Sequence, residues 1–289
     1  MASNSGLPSA VAQNAVIDSH GAEWRDWVFT NVGAGCDHTD MAQRMVAAGW
    51  TASTAAQAIA FAAQAHEQPA AFCARPELPL IGVSEIEGQI VAVTMRLAVP
   101  AIAVCENVLS AQECEQLIAY AEARGLLPSA VVNEADGSAV AHPERSSTGV
   151  MLTRAETDLV ARIERRLAAL TSWPVEHGEG LQILRYAPGQ EYRAHFDAFP
   201  SGKAGDVHRA KGGQRVNTIL VYLRSPECGG GTVFPNLGLT MRPQQGAAIM
   251  FHNVDAAGNR ANETLHAGEA VQAGEKIVLT YWQREGAFI

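Results

Sequence analysis

The sequence predicts an α+β protein: an antiparallel β-sandwich or jelly roll with helices packed on one face, preceded by a small helical module. Three observations predict it. From Leu181 onward, short strand-like runs follow one another, separated by turn residues (PGQ, CGGG, PQQG, QAGE). Two S/T-x-x-E capping boxes open helical stretches ahead of that β half. An alanine-rich, helix-prone run lies near the N-terminus. Two helices followed by about eight strands leave one sheet face to be covered by the helices.

The elements follow in order. Residues 1–20 are small and polar and are expected to fray. Residues 21–67 read as short helices. Asp40 is expected to cap one through Val46, and Thr51 or Ser53 to start the run AAQAIAFAAQA. Trp24, Trp27 and Trp50 are the expected core aromatics of this module, read as a stabilising extension. Gln68 to Glu87 carries Pro69, Pro76, Pro79 and Gly82 and reads as a linker. The domain boundary is therefore placed near residue 90, giving an N-terminal extension and linker over 1–90 and a second domain over 91–289. AIAVCENVL is strand-like. Ser110 and Glu113 form a capping box for a helix that stops at Gly125, and Thr153 and Glu156 suggest a second, through Leu170. The strands are LQILRYA, EYRAHFDAF, RVNTILVYLRS, GTVF, LTMRP, GAAIMF, ETLHAGEAV and KIVLTYWQRE. Residues 198–214 break the pattern: a glycine-containing, mixed-charge stretch with no periodicity, expected to be an irregular lid loop.

Composition narrows the function classes. The chain has 289 residues, a formal net charge of -9, 47% apolar residues and 18% charged residues. Wholesale disorder is excluded. The acidic balance argues against a nucleic-acid or anionic-membrane partner. A core of this size folds without a metal staple, so a metal site here is expected to be catalytic. The five cysteines are scattered without C-x-x-C, which reads as reduced thiols of a cytoplasmic protein. No basic residue precedes Arg25, so no signal peptide is expected. Ala47 to Ala65 lacks the bulky apolar run of a membrane span. Oligomeric state is not legible.

The sharpest chemical feature is His195-Phe196-Asp197. In a strand, residues two apart project from one face, so His195 and Asp197 converge while Phe196 turns into packing. His266 lies on another predicted strand. Two imidazoles and one carboxylate form the facial triad of non-haem Fe(II) sites, leaving three positions open. Taken alone, H-x-D is a common motif, equally consistent with a core histidine and a turn-capping aspartate. Lys276 adds a second signal. It is one of only three lysines and sits at the head of the apolar alternation KIVLTYW, on one face with Val278, Thr280 and Trp282. A lysine aimed into a β core needs an anion. A dicarboxylate bound to the metal at its other end would supply one. A protein carboxylate, or an exposed strand start, would also account for it.

From about residue 100 to 286 the chain resembles the prolyl 4-hydroxylase branch of the Fe(II)/2-oxoglutarate-dependent dioxygenases. The residues behind this are YAPGQEYRAHFD (186–197), RVNTILVYL (215–223), GGGTVFP (229–235), GAAIMF (246–251) and LHAGEAVQAGEKI (265–277), in order and suitably spaced. The resemblance implies a double-stranded β-helix core. It implies that His195, Asp197 and His266 bind Fe(II), and that Lys276 pairs with the distal carboxylate of 2-oxoglutarate. It implies that Tyr186 and Thr232 hydrogen-bond that co-substrate, and that L-ascorbate supports turnover as a reductant. The reaction it implies couples 2-oxoglutarate and O₂ to succinate and CO₂ while hydroxylating an unactivated C–H bond, with a prolyl residue of a peptide or protein as the favoured substrate. Asp197 occupies the position a related halogenase leaves open for chloride, which favours hydroxylation. Arg215 matches a recurrent basic position without an assigned role, and Tyr192 and Tyr222 read as packing residues. Alternatives are a hydroxylase of a free amino acid or other small molecule, a non-catalytic β-helix ligand-binding module, and a zinc hydrolase using the same triad. The last leaves Lys276 unexplained. The resemblance does not extend to residues 1–90.

Overall fold

The computed structural model describes residues 22–67, 73–132, 139–141 and 146–289. The expectation that residues 1–20 fray lies outside them. The chain divides into two compact units, Met1–Phe72 and Cys73–Ile289. No helix among the described residues is long and apolar enough to cross a membrane.

The first unit holds α1 (Ala22–Gly33), α2 (His38–Ala47) and α3 (Ala52–Glu67). Met41, Met45, Trp50 and Ile59 are buried in its core. Trp24 meets Trp27 and Trp50 edge-on at 5.4 and 5.8 Å between centroids. Asp40 is not the cap of α2. Asp37 is: its carboxylate accepts from the N–H groups of Thr39 at 2.8 Å and Asp40 at 2.9 Å. Asp40 sits one turn inside and pairs with Arg44 at 2.9 Å. Thr51 opens α3 by accepting from the N–H of Thr54 at 3.1 Å.

The second unit begins with β1 (Gly82–Ile86), β2 (Gln89–Leu97) and β3 (Ile102–Glu106), then α4 (Ala111–Arg124). Short strands β4 (Leu127–Pro128), β5 (Ala130–Val132), β6 (Ala139–Ala141) and β7 (Thr148–Leu152) lead to α5 (Asp158–Leu170). There follow β8 (Leu181–Tyr186), β9 (Tyr192–His195), α6 (Lys203–Arg209), β10 (Arg215–Arg224), β11 (Cys228–Gly229), β12 (Thr232–Phe234) and β13 (Leu239–Met241). The chain closes with β14 (Ala248–His252), β15 (His266–Gly268), β16 (Val271–Ala273) and β17 (Lys276–Arg284). A nine-stranded sheet runs β1-β2-β3-β14-β10-β17-β8-β7-β4, and a four-stranded sheet runs β13-β12-β15-β9. All pairings are antiparallel.

Alternation along β17 explains the layering. All nine of its residues are buried. Ile277, Leu279 and Tyr281 join Leu117 of α4 and Ile163 and Leu167 of α5 in one core. Lys276, Val278, Thr280 and Trp282 face the opposite way and line a cavity. One face of the large sheet is thus closed by helices. The other shares apolar clusters with the small sheet, where Phe234 of β12 meets Phe251 of β14 at 5.1 Å.

Four further expectations change. The boundary lies at 72/73 rather than near 90, because β1 and β2 form a hairpin that pairs onto β3. Its two-residue turn, Glu87-Gly88, has φ of 48° and 76°, the left-handed pair a tight hairpin requires. The second helix does not start at Thr153. Ala155 at φ 51° interrupts any helix there, and Thr157 caps α5 by accepting from Val160 N–H at 3.2 Å. Thr153 and Glu156 instead close a local turn, the Thr153 N–H donating to Glu156 at 2.7 Å. Asp197 lies just past the end of β9, so its convergence with His195 comes from the bend after the strand. Finally, residues 198–214 are not an irregular loop. They contain α6, and Gln214 clamps their ends through reciprocal bonds to the N–H and C=O of Phe199 at 2.8 and 3.0 Å. Arg284 donates to the carbonyls of His208 and Gly213 at 2.6 and 2.5 Å, fixing the far end. The box at Ser110 and the stop at Gly125 stand as expected, with Ser110 N–H donating to Glu113 at 3.0 Å and Gly125 at φ 86°.

Candidate active site

His195 and His266 are register partners across the antiparallel pair β9·β15, which sets their rings 4.3 Å apart. Asp197 completes the group: ligand-type atoms of all three lie within 4.8 Å of one another. His195 Nδ1 lies 2.8 Å from the carbonyl of Arg193, and His266 Nδ1 lies 3.0 Å from the carbonyl of Thr264. A carbonyl only accepts, so each Nδ1 carries the proton and each Nε2 is left with its lone pair. Those Nε2 atoms face Asp197 Oδ1 and Oδ2 at 3.7 Å each, too long for a hydrogen bond. Three electron-rich donors converging without a proton between them suit a divalent cation, and the imidazole-plus-carboxylate set suits Fe(II). Burial would raise the Asp197 pKa, but positive charge on His266 and His195 whenever those rings are protonated, the Arg215 guanidinium and the Thr218 hydroxyl together hold it below the usual carboxylate range, so the carboxylate is charged.

The same cavity is lined by Lys276, Tyr186 and Thr232 as well. Lys276 is 3% exposed, which excludes the exposed-strand-start reading. Among the described residues no carboxylate lies within ion-pair distance of it. Burial pulls its pKa down to about 8, with Glu269 only partly opposing. Tyr186 is its register partner across β8·β17, and Nζ lies 5.5 Å from that ring. Thr232 is opposite Gly268 in β12·β15 and buried. Gly229 and Gly230, at φ 75° and 70°, make the bulged turn that precedes it. A Cβ on Gly230 would meet Lys276 Cδ at 3.2 Å.

Three features escape sequence reasoning. Tyr222, taken for a packing residue, is fully buried and its hydroxyl donates to Thr232 Oγ1 at 2.7 Å. Arg215 is gripped by Glu179 in a two-pronged ion pair at 2.7 and 2.8 Å, and its guanidinium lies 3.6 Å over the Trp282 ring. Thr218 and Asn253 lie behind Asp197. Only Arg215 carried a signal, its place in a family motif. The others become visible once distant strands are paired.

The profile of the 2OG-Fe(II) oxygenase superfamily matches residues 181–284. Probable prolyl 4-hydroxylase 10 of Arabidopsis thaliana is 35% identical over 204 residues, spanning 64% of this chain and 69% of that protein. The chain belongs to the 2OG-Fe(II) oxygenases. Within that superfamily it is prolyl 4-hydroxylase-like. Prolyl 4-hydroxylase 1 of the same plant is 36% identical, over 65% of this chain and 70% of its own. The viral collagen prolyl hydroxylase of Paramecium Bursaria Chlorella virus-1, solved in complex with 2OG, matches with a TM-score of 0.51 at 30% identity, covering 63% of this chain and 94% of that one. In this oxygenase every residue expected at the site lies inside the matched 181–284 segment, whereas Glu179 falls just before it.

Proposed function

We propose that this oxygenase hydroxylates a prolyl residue in a peptide or protein, with Fe(II) held by His195, Asp197 and His266. The observation that carries the reading is one cavity lined both by three convergent lone-pair donors and by a buried ammonium with no carboxylate within ion-pair distance among the described residues. Iron and 2-oxoglutarate, when bound, would supply the chemistry that splits O₂ between the C–H bond hydroxylated and the succinate formed. The chain supplies placement. Lys276 neutralises the distal carboxylate of 2-oxoglutarate in a site too dry to leave either charge alone. Thr232 accepts its bond from Tyr222, so its own proton is directed to the co-substrate. Tyr186, across from Lys276, adds a phenolic donor. Asp197 fills the carboxylate position that a halogenating relative leaves to chloride. The apolar wall of Leu184, Leu220, Val278 and Trp282 excludes water.

The prolyl substrate rests on the relatives, which carry the name prolyl 4-hydroxylase. In this reading L-ascorbate serves as a supporting reductant, and the five unpaired cysteines support a cytoplasmic location. Mass spectrometry of proline-containing peptides incubated with Fe(II), 2-oxoglutarate and ascorbate tests the reading. A product heavier by one oxygen, absent with His195→Ala, is the expected result. Succinate release without any peptide product would move the substrate to free amino acids or other small molecules. No succinate release at all would end the oxygenase reading of this site.

A further inference from the structure

Behind Asp197 two buried polar side chains form a short chain of hydrogen bonds. Thr218 Oγ1 donates to Asp197 Oδ2 at 2.7 Å, and Asn253 Nδ2 donates to Thr218 Oγ1 at 2.9 Å. Thr218 is 1% exposed and Asn253 2%. A hydroxyl has one proton, and the short, charge-assisted bond to Asp197 takes it. The 3.1 Å approach of Thr218 Oγ1 to Asn253 Oδ1 is therefore not a second donation. Asn253 must present its N–H, which fixes its amide orientation.

The pair rides on rigid elements. Thr218 lies in β10, paired to Phe251 of β14 on one side and Trp282 of β17 on the other. Asn253, one residue past β14, is pinned by its own N–H to the carbonyl of Val216 at 3.0 Å. The pair reaches Asp197, through Thr218, from the large sheet, whereas His195 and His266 are carried by the small one.

A carboxylate with two open oxygens can chelate a metal through both and consume two coordination positions. One whose second oxygen already accepts a short, charge-assisted hydroxyl bond has less charge to share from that atom, so a metal is favoured through the other oxygen alone. We propose that Thr218, oriented by Asn253, is a positioning residue that keeps Asp197 a one-oxygen ligand, so that a bound divalent metal retains three positions for co-substrate and O₂. This rests on His195, Asp197 and His266 being the ligand set.

Mn(II) titration of the metal-stripped full chain, read by calorimetry and by water-proton relaxation, tests it. Thr218→Val is expected to weaken Mn(II) binding about tenfold, as loss of an outer partner typically does. It is also expected to lower the relaxation enhancement per bound ion by about a third, since one of three open positions is lost. Thr218→Ser restores both, and Asn253→Ala moves both in the direction of Thr218→Val. Wild-type affinity and relaxation in Thr218→Val overturn the proposal. If that variant does not fold, an unchanged Asn253→Ala overturns it equally. Failure of the wild type to bind Mn(II), or binding unaffected by Asp197→Ala, removes the ligand set itself. That outcome is distinct from failure of the Thr218 role alone, in which the wild type binds through Asp197 and Thr218→Val behaves identically.

Discussion

At the scale of single residues, Lys276 is costly to the fold and useful to the ligand. Its pKa falls from 10.5 to about 8 in the folded chain because burial penalises the charge. The ligand-free fold therefore binds fewer protons than the unfolded chain, and its stability rises as pH goes from about 8 to 10.5. At neutral pH the penalty has an upper limit of about 3 kcal/mol. Lys276→Met should raise the melting temperature of the ligand-free protein while raising the KM for 2-oxoglutarate on the order of 100-fold, the loss of a charged hydrogen-bonded pair. Affinity of the wild type for 2-oxoglutarate should fall about tenfold per pH unit above about 8, where the ammonium deprotonates, as calorimetry would show. His252 has a lowered pKa of a different consequence. Burial takes it to about 4 against the bond to the Pro76 carbonyl. It is neutral when folded and protonates from pH 6.5 downward when unfolded, so stability present above 6.5 erodes as pH falls toward 4. His252→Gln should flatten denaturation midpoints across that window.

At the scale of elements, the segment between Asp197 and β10 owes its order to long-range bonds rather than to its own sequence. Its seven-residue helix is too short to stand alone. Arg284, on β17, ties it down through a carbonyl in the last turn of the helix and one in the turn after it, while its other nitrogen pairs with Glu179 at 2.9 Å. Arg284→Gln should speed amide hydrogen exchange across residues 203–213 by at least about tenfold and leave β8 and β17 protected. Equal protection throughout would mean that the Phe199–Gln214 clamp alone suffices. The helix start at Ser110 was legible because the capping box is local, four residues long. The start of α5 was misread because the same pattern at Thr153 closes a turn when Ala155 takes a left-handed backbone. Sequence carries the pattern but not the φ angle.

At the scale of the whole molecule, the boundary between units has a direct test. A chain begun at Cys73 keeps the β1–β2 hairpin, whereas one begun at residue 91 loses β1 and breaks into β2. The longer fragment should melt cooperatively and bind Mn(II). The shorter should expose the edge of β2 and aggregate, which light scattering during a thermal melt would report. The hairpin was missed because the prolines before it read as linker and its turn is Glu-Gly rather than Asn-Gly. The alternation V-S-E-I then I-V-A-V was its one available signal.

The sequence by itself determined the residue types of the site, the alternation that turns Lys276 and Trp282 to one face of β17, and the helix that follows Ser110. Each of these is a local pattern, readable within a few residues. The tertiary structure alone decided that His195 and His266 are cross-strand partners, that Lys276 meets no carboxylate among the described residues, that Glu179 holds Arg215, and that Thr218 and Asn253 stand behind Asp197. Those facts join residues 21 to 71 positions apart. The register of paired strands, set by burial of whole faces, fixes them, and no short stretch of sequence contains it.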